Sequence, residues 1–422
     1  MANIAQPRPA DIRRPWWPLP LLLFSLLLGG TNVALSERAP VILVFDVVML
    51  ALVCVLSVEM VFGQYWPDLT DTTFLSIAVV CLLAHMMSSF ANPNDIFKSL
   101  VSTKVFAFGI LVYVLAFLPG YERKILSTLV LFGGVTGLML LYGFVSGWSA
   151  VFEGEDTARA LKNLVELPMG QHNYIAAILV FLFPIGAGQA KRERGARRWI
   201  AGVACAFMLL GLFIAMSRGA FLALIASAVL SLPLMLRAGL KFKHIAIVVV
   251  VLAAVLLLLP DEMVSANTVL LMERINQPDF DRFDIYRLAW NAFLENPLLG
   301  VGPGQIVNLT AALSIDSIRL TAHNFVLNSL SELGLVGAIP YFALVGLVVV
   351  RTYRLAARTL TAVPLGLWVG LLATMLANIV DVPFAGQHYL ALFCTIAALV
   401  KLLSRDFQGE AITPQAEAKG TV

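Results

Sequence analysis

At 422 residues, 59% of them hydrophobic and 13% charged, the chain has a mean hydropathy of +0.87. That is more apolar surface than a soluble core can bury, which excludes a soluble enzyme, a disordered chain and a disulfide scaffold. A formal net charge of +3 on this length gives no basis for nucleic-acid binding. The expected class is an all-α integral membrane protein.

The N-terminal segment carries Arg8, Arg13 and Arg14 ahead of a long apolar run without an A-x-A cleavage site, and reads as a retained first span. A hydrocarbon core of ~30 Å takes about 20 apolar residues per helix. Runs and breakers then predict twelve spans, at 17–35, 41–60, 73–90, 99–119, 125–147, 171–189, 199–215, 219–236, 244–260, 325–350, 363–380 and 389–403. The apolar stretch from Trp199 to Leu236 is 38 residues long, too long for one crossing, and is divided at Ser217-Arg218-Gly219. Cys54, Cys81, Cys205 and Cys394 all lie in apolar runs without metal spacing and read as buried thiols.

Orientation follows the positive-inside rule. With the N-terminus inside, 19 of the 29 basic residues fall in inside segments and nine outside. Both termini come out cytoplasmic; the 61–72 loop has no positive charge and takes its inside place by alternation alone. The chain reads as a single polytopic membrane domain, 1–422, with outer loops at about 148–170 and 261–322. The second is the only extramembrane region large enough to fold over the membrane. No GxxxxGK[ST] motif is present, which argues against an ATP-driven pump, and no repeat of transporter type is apparent.

Candidate chemistry therefore gathers on the outer face. Arg218, at the tip of the 199–236 hairpin, is read either as an interfacial arginine marking the turn or as an anion-binding group, with Ser217 placed to cap the returning helix. Residues 281–295 predict an amphipathic helix lying against the membrane domain. Phe283, Tyr286, Trp290 and Phe293 recur at helical spacing, as do Ile285, Ala289 and Ala292; Asp281 is the cap and Asn296-Pro297 the stop. On it, Arg287 either pairs with Asp284 or presents its fork to a phosphate, with Asn291 one turn on. The run from Leu298 to Gln305, LLGVGPGQ, resembles a glycine-rich phosphate loop without the preceding strand, so it is either a tight turn or an amide nest for an anion.

His323-Asn324 stands at the outer entrance of the tenth span, followed within it by Asn328, Ser329, Ser331 and Glu332. His172-Asn173 opens the sixth span from the other outer loop. His85, His244 and His388 are given structural roles. Asp279-Phe280-Asp281 is formally a DxD motif but stands alone, and neither HExxH nor GxSxG occurs. No metal and no cofactor is expected.

Three signatures occur in order: Ser217-Arg218-Gly219; Arg287 and Trp290 followed by Asn296-Pro297-Leu298-Leu299-Gly300-Val301-Gly302-Pro303-Gly304; and His323-Asn324 followed by Glu332-Leu333-Gly334-Leu335-Val336-Gly337. Together they resemble the O-antigen ligase/polymerase superfamily of bacterial membrane glycosyltransferases, most closely the O-antigen ligases. The resemblance implies a GT-C-like fold of about 12 transmembrane helices with a helical periplasmic loop region, in the bacterial inner membrane. It implies transfer of a glycan from undecaprenyl pyrophosphate to lipid A–core at the periplasmic face. Arg218 and Arg287 would hold the donor pyrophosphate and His323 would act on the acceptor. His172, Asn173, Asn324 and Asn291 would support the pocket.

The chemistry is coherent in itself. Pyrophosphate is a good leaving group, so positive charge from two arginines suffices without a metal. A sugar hydroxyl needs a base, and a histidine with unperturbed pKa near ~6.5 suits that task. Direct displacement at the anomeric carbon inverts it. The alternatives are a polysaccharide polymerase, with Arg159 and Gly170 matching an RX10G spacing; a protein O-oligosaccharyltransferase; and, from another class, a lipid-linked glycan transporter. A transporter predicts charges spread through the membrane, whereas the spans' charges are few, Asp46, Glu59, Lys104 and Glu332 among them.

Overall fold

A computed structural model describes residues 16–28, 44–61, 69–92, 96–152, 167, 172–215, 217–239, 282–313, 321–379, 384 and 386–412. The described residues form thirteen α-helices: α1 Pro18–Ser25, continued by a 3-10 turn Leu26–Leu28; α2 Val44–Val61; α3 Thr72–Ala91; α4 Ile96–Ala116; α5 Glu122–Phe152; α6 His172–Arg192; α7 Ala196–Ile214; α8 Arg218–Arg237; α9 Arg282–Glu295; α10 Ile306–Leu313; α11 Phe325–Thr359; α12 Ala362–Ala377; and α13 Gln387–Ile412. Among the described residues, eight helices are long and apolar enough to cross a membrane, and three shorter apolar helices overlap the expected spans 17–35, 41–60 and 363–380. The expected span 244–260 lies outside the described residues. The chain is a multi-pass membrane protein built of helices, the form in which a backbone satisfies its own hydrogen bonds in lipid.

Small residues set the closest packing. A Cβ on Gly137 of α5 would lie 2.1 Å from the Phe207 carbonyl oxygen of α7, and one on Gly370 of α12 would lie 2.2 Å from that of Phe181 on α6. Lipid tails offer little hydrophobic drive for helix association, and such contacts bring backbones close enough for dispersion to hold them. The break at Ser217 falls where expected, but α7 and α8 leave it toward different partners: α7 packs on α5 and α6, and α8 on α12. Ser217 occupies the N-cap position of α8, yet its side chain makes no capping hydrogen bond, contrary to the expected cap.

One end of the bundle is knit by charge. Arg351 of α11 grips Asp71, the N-cap of α3, through two bonds of 2.7 and 2.9 Å; Tyr113 donates to the same carboxylate at 2.5 Å and Lys401 stands 4.0 Å away. Burial pushes the Asp71 carboxyl up, but Arg351 and Tyr113 outweigh it and hold the group below the usual carboxylate range. Arg405 contacts Thr70 and stacks over Phe117, Lys124 lies over Trp16, and Arg123 pairs with Glu193. These segments all carry an inside assignment by sequence, and the structure gathers them at one end. The 61–72 loop joins them through Asp71 rather than through a basic residue of its own. Within the bundle, Asp46 and Lys104 meet at 2.6 Å, so each neutralises the other.

Candidate functional site

At the opposite end, α11 is broken. Gly334 adopts φ +60°, ψ −166° inside the helix, which releases carbonyls before it and amides after it. The glycine-rich loop after α9 takes them up. Val301 and Gly302 donate to the carbonyls of Ser331 and Glu332 at 2.8 and 3.0 Å, and Leu335 and Val336 donate to those of Pro297 and Leu298 at 2.9 and 3.1 Å. Ser88 of α3 bridges both strands of this clasp, donating to Leu299 and Glu332 carbonyls at 2.6 and 2.9 Å, and Asn92 donates to the Gly300 carbonyl at 3.0 Å. Irregular backbone at this depth is tolerated because it is buried in protein and its polar groups are paired. The amides of Gly300, Val301, Gly302 and Gln305 all donate to carbonyls. Of the two readings open for this loop, the turn is what the structure has; those amides are not an anion nest.

The helix α9 forms as the sequence indicates and ends at Glu295, with Asn296 donating back to Ala292 and Phe293. Its small-residue face is the buried one: Ile285, Ala289 and Ala292 are within 4% of full burial and pack toward α10 and α11. Of the aromatic stripe, Phe283 and Trp290 turn outward, Phe283 74% exposed, while Tyr286 and Phe293 are half-buried. Arg287 is exposed and makes no salt bridge with Asp284, so that alternative does not hold, and Asn291 is exposed beside it. One residue earlier, the Tyr286 hydroxyl donates to the His323 carbonyl at 3.3 Å, tying the arginine-bearing helix to the histidine-bearing loop. His323 itself sits at φ +47°, a left-handed backbone that a non-glycine residue adopts only where the surroundings impose it.

Asn324 is spent on structure. Its side chain accepts from the Leu327 amide at 3.0 Å as the N-cap of α11 and donates to the Ile379 carbonyl at 3.0 Å. His172 and Asn173 are half-buried at the first turn of α6. Arg218 opens α8, and its side chain lies outside the described residues, as do the DxD pair Asp279 and Asp281, Arg159 and Gly170, and His244. The structure thus brings Arg287, Asn291, His323 and Asn324 to one end, and no described contact joins Arg218 to them.

A cavity of about 460 Å³ lies between the two His-Asn helix entrances. Tyr174, next after His172-Asn173, and Phe325, next after His323-Asn324, both line it. Its polar wall is Asn328, Ser329 and Glu332 on α11 with His85 and His388. His85 donates through Nδ1 to the Cys81 carbonyl at 2.7 Å and stacks on Phe106, consistent with the structural role given to it. His388 differs: its Nε2 is buried without a hydrogen-bond partner, as is the hydroxyl of adjacent Tyr389, and both residues line the cavity. Sequence reading passed over Tyr174 and Tyr389, and gave His388 a structural role. The only signal for them was a histidine and tyrosines at the outer ends of apolar spans.

Residues 203–342 match the family model described as O-antigen ligase. That stretch contains Arg218, Arg287, His323 and both halves of the glycine clasp. No curated protein matches the chain.

Proposed function

We propose, from the match of residues 203–342 to the O-antigen ligase family model, that the chain belongs to that superfamily and is a membrane glycosyltransferase. It moves an O-antigen glycan from undecaprenyl pyrophosphate to lipid A–core at the periplasmic face of the inner membrane. The reading includes twelve spans, cytoplasmic termini and a GT-C-like arrangement, with 261–322 as the periplasmic loop. The observation that carries it is the Tyr286–His323 hydrogen bond, which ties the arginine helix to the loop between Thr321 and Phe325, two residues that line the partly polar cavity.

In this mechanism Arg287 and Arg218 bind the donor pyrophosphate and stabilise the charge that develops as it leaves. His323 takes the proton of the acceptor hydroxyl, which attacks the anomeric carbon and inverts it. The sugar next to the scissile bond occupies the cavity, where rings such as Tyr174 and Phe325 offer apolar faces and Asn328, Glu332 and His388 offer hydrogen-bonding groups. Both lipid substrates enter laterally from the bilayer. A transporter is less well supported, since the membrane charges Asp46 and Lys104 are paired with each other rather than spaced along a path.

Reconstituted transfer tests the site. Arg287→Lys keeps charge but loses the bidentate fork, so transfer should fall strongly, while excess EDTA should leave the wild-type rate unchanged. Full activity of Arg287→Ala would remove the arginine role, and a loss in EDTA restored by magnesium or manganese would revive the DxD pair.

A further inference from the structure

At the end of the bundle away from the cavity, a second concavity of about 620 Å³ is lined by Arg123, Arg192, Glu193, Arg194 and Arg197 around the short α6–α7 connection. Its single acid is already engaged. Arg123 holds Glu193 through Nε at 2.9 Å and a second guanidinium nitrogen, and the carboxyl is buried. The hydrogen bonds from Arg123 hold Glu193 below the usual carboxylate range against its burial, with Arg192 and Arg197 adding to the effect. Arg192, Arg194 and Arg197 are exposed and make no hydrogen bond or salt bridge among the described residues. The rim therefore keeps a net positive charge.

Two further features converge on the same spot. The 19-residue α7 starts here behind Gly195, which has no side chain to cap its amides, so its positive end faces the arginines. Immediately beyond, Trp199, Ile200 and Val203 are 76%, 53% and 52% exposed on α7, an apolar face topped by an aromatic residue. Acyl chains suit that face, and a tryptophan below a ring of arginines is the pattern of a membrane–water interface. A soluble anion would use the charge and leave the apolar face idle.

We propose that this concavity binds the phosphate headgroup of an anionic phospholipid, with its acyl chains along Trp199, Ile200 and Val203. Arg192, Arg194 and Arg197 supply the charge, and the start of α7 supplies backbone donors. The Arg123–Glu193 pair fixes the floor. The site is independent of the glycan-transfer proposal and lies at the other end of the helices.

Native mass spectrometry of the full-length protein, released from nanodiscs of phosphatidylcholine doped with phosphatidylglycerol or cardiolipin, tests it. Wild type should retain the anionic lipid. A variant carrying R192Q, R194Q and R197Q should bind it about a hundredfold less tightly, on the scale of roughly fivefold per basic residue at a membrane surface. Arg194→Gln alone, which touches no described partner, should give a partial loss and covers the case in which the triple variant folds poorly. The control R354Q/R358Q removes basic charge from the α11 end and should leave retention unchanged. Equal retention by wild type and both site variants would overturn the proposal, as would an equal loss in the control. Displacement of the lipid by inorganic phosphate at millimolar concentration would reassign the site to a soluble anion.

Discussion

Gly300 and Gly334 lock the loop after α9 into the break of α11 from opposite sides. A Cβ on Gly300 would lie 2.4 Å from the Glu332 carbonyl carbon, and one on Gly334 would lie 2.3 Å from that of Leu298. Both have positive φ, +67° and +60°. Alanine at either position meets rigid backbone as well as an unfavourable conformation, so each change should destabilise by roughly 2–4 kcal/mol. Thermal unfolding in detergent checks this against Gly346→Ala, whose Cβ would meet nothing within 4 Å. Equal melting temperatures for the Gly334 and Gly346 variants would contradict the clasp.

The charge knot at the other end has a pH signature. The Asp71 carboxyl is held below its ordinary value of 3.8, so its ion pairs contribute stability in full above about that pH. The contribution is lost as pH falls through the lower folded-state value. The difference in melting temperature between wild type and Asp71→Asn should therefore be constant from neutral pH down to about 4 and shrink below it. A difference that grows on acidification would contradict the pairing.

His323 separates a base from a scaffold residue. Asparagine tolerates the left-handed backbone that His323 adopts, so His323→Asn should keep the loop and its bond from Tyr286. Transfer should be abolished while thermal stability and donor binding stay near wild type. Transfer in proportion to folded protein would assign the residue to structure alone.

Orientation can be read with cysteine labelling in intact cells. After replacing exposed Cys54, an Asn291→Cys variant should react with an impermeant maleimide, and an Arg194→Cys variant only after permeabilisation. The reverse pattern would invert the topology.

Much of this architecture was legible in the chain. Apolar run length located the described long helices, the Ser217-Arg218 interruption located the gap between α7 and α8, and periodicity located α9, while α10 was not foreseen. These are local properties. The glycine clasp was not legible, because NPLLGVGPG and ELGLVG each look like an isolated turn or helix, and their pairing is made of backbone bonds between residues thirty or more apart. The same holds for Asp71 with Arg351, whose link is set by how α3 and α11 pack. The cavity was hidden for a related reason. Its wall draws on α3, α4, α6, α10, α11 and α13, so no single segment announces it, and the orphaned Nε2 of His388 is a fact of packing.

The most direct measurement is transfer by the purified protein in liposomes given undecaprenyl-pyrophosphate glycan and, in parallel, either lipid A–core or a second lipid-linked glycan. The account predicts that the glycan moves onto lipid A–core and that the lipid-linked glycan alone is not lengthened. Chain elongation without lipid A–core would make the protein a polymerase, and transfer to neither acceptor would contradict the glycosyltransferase reading itself.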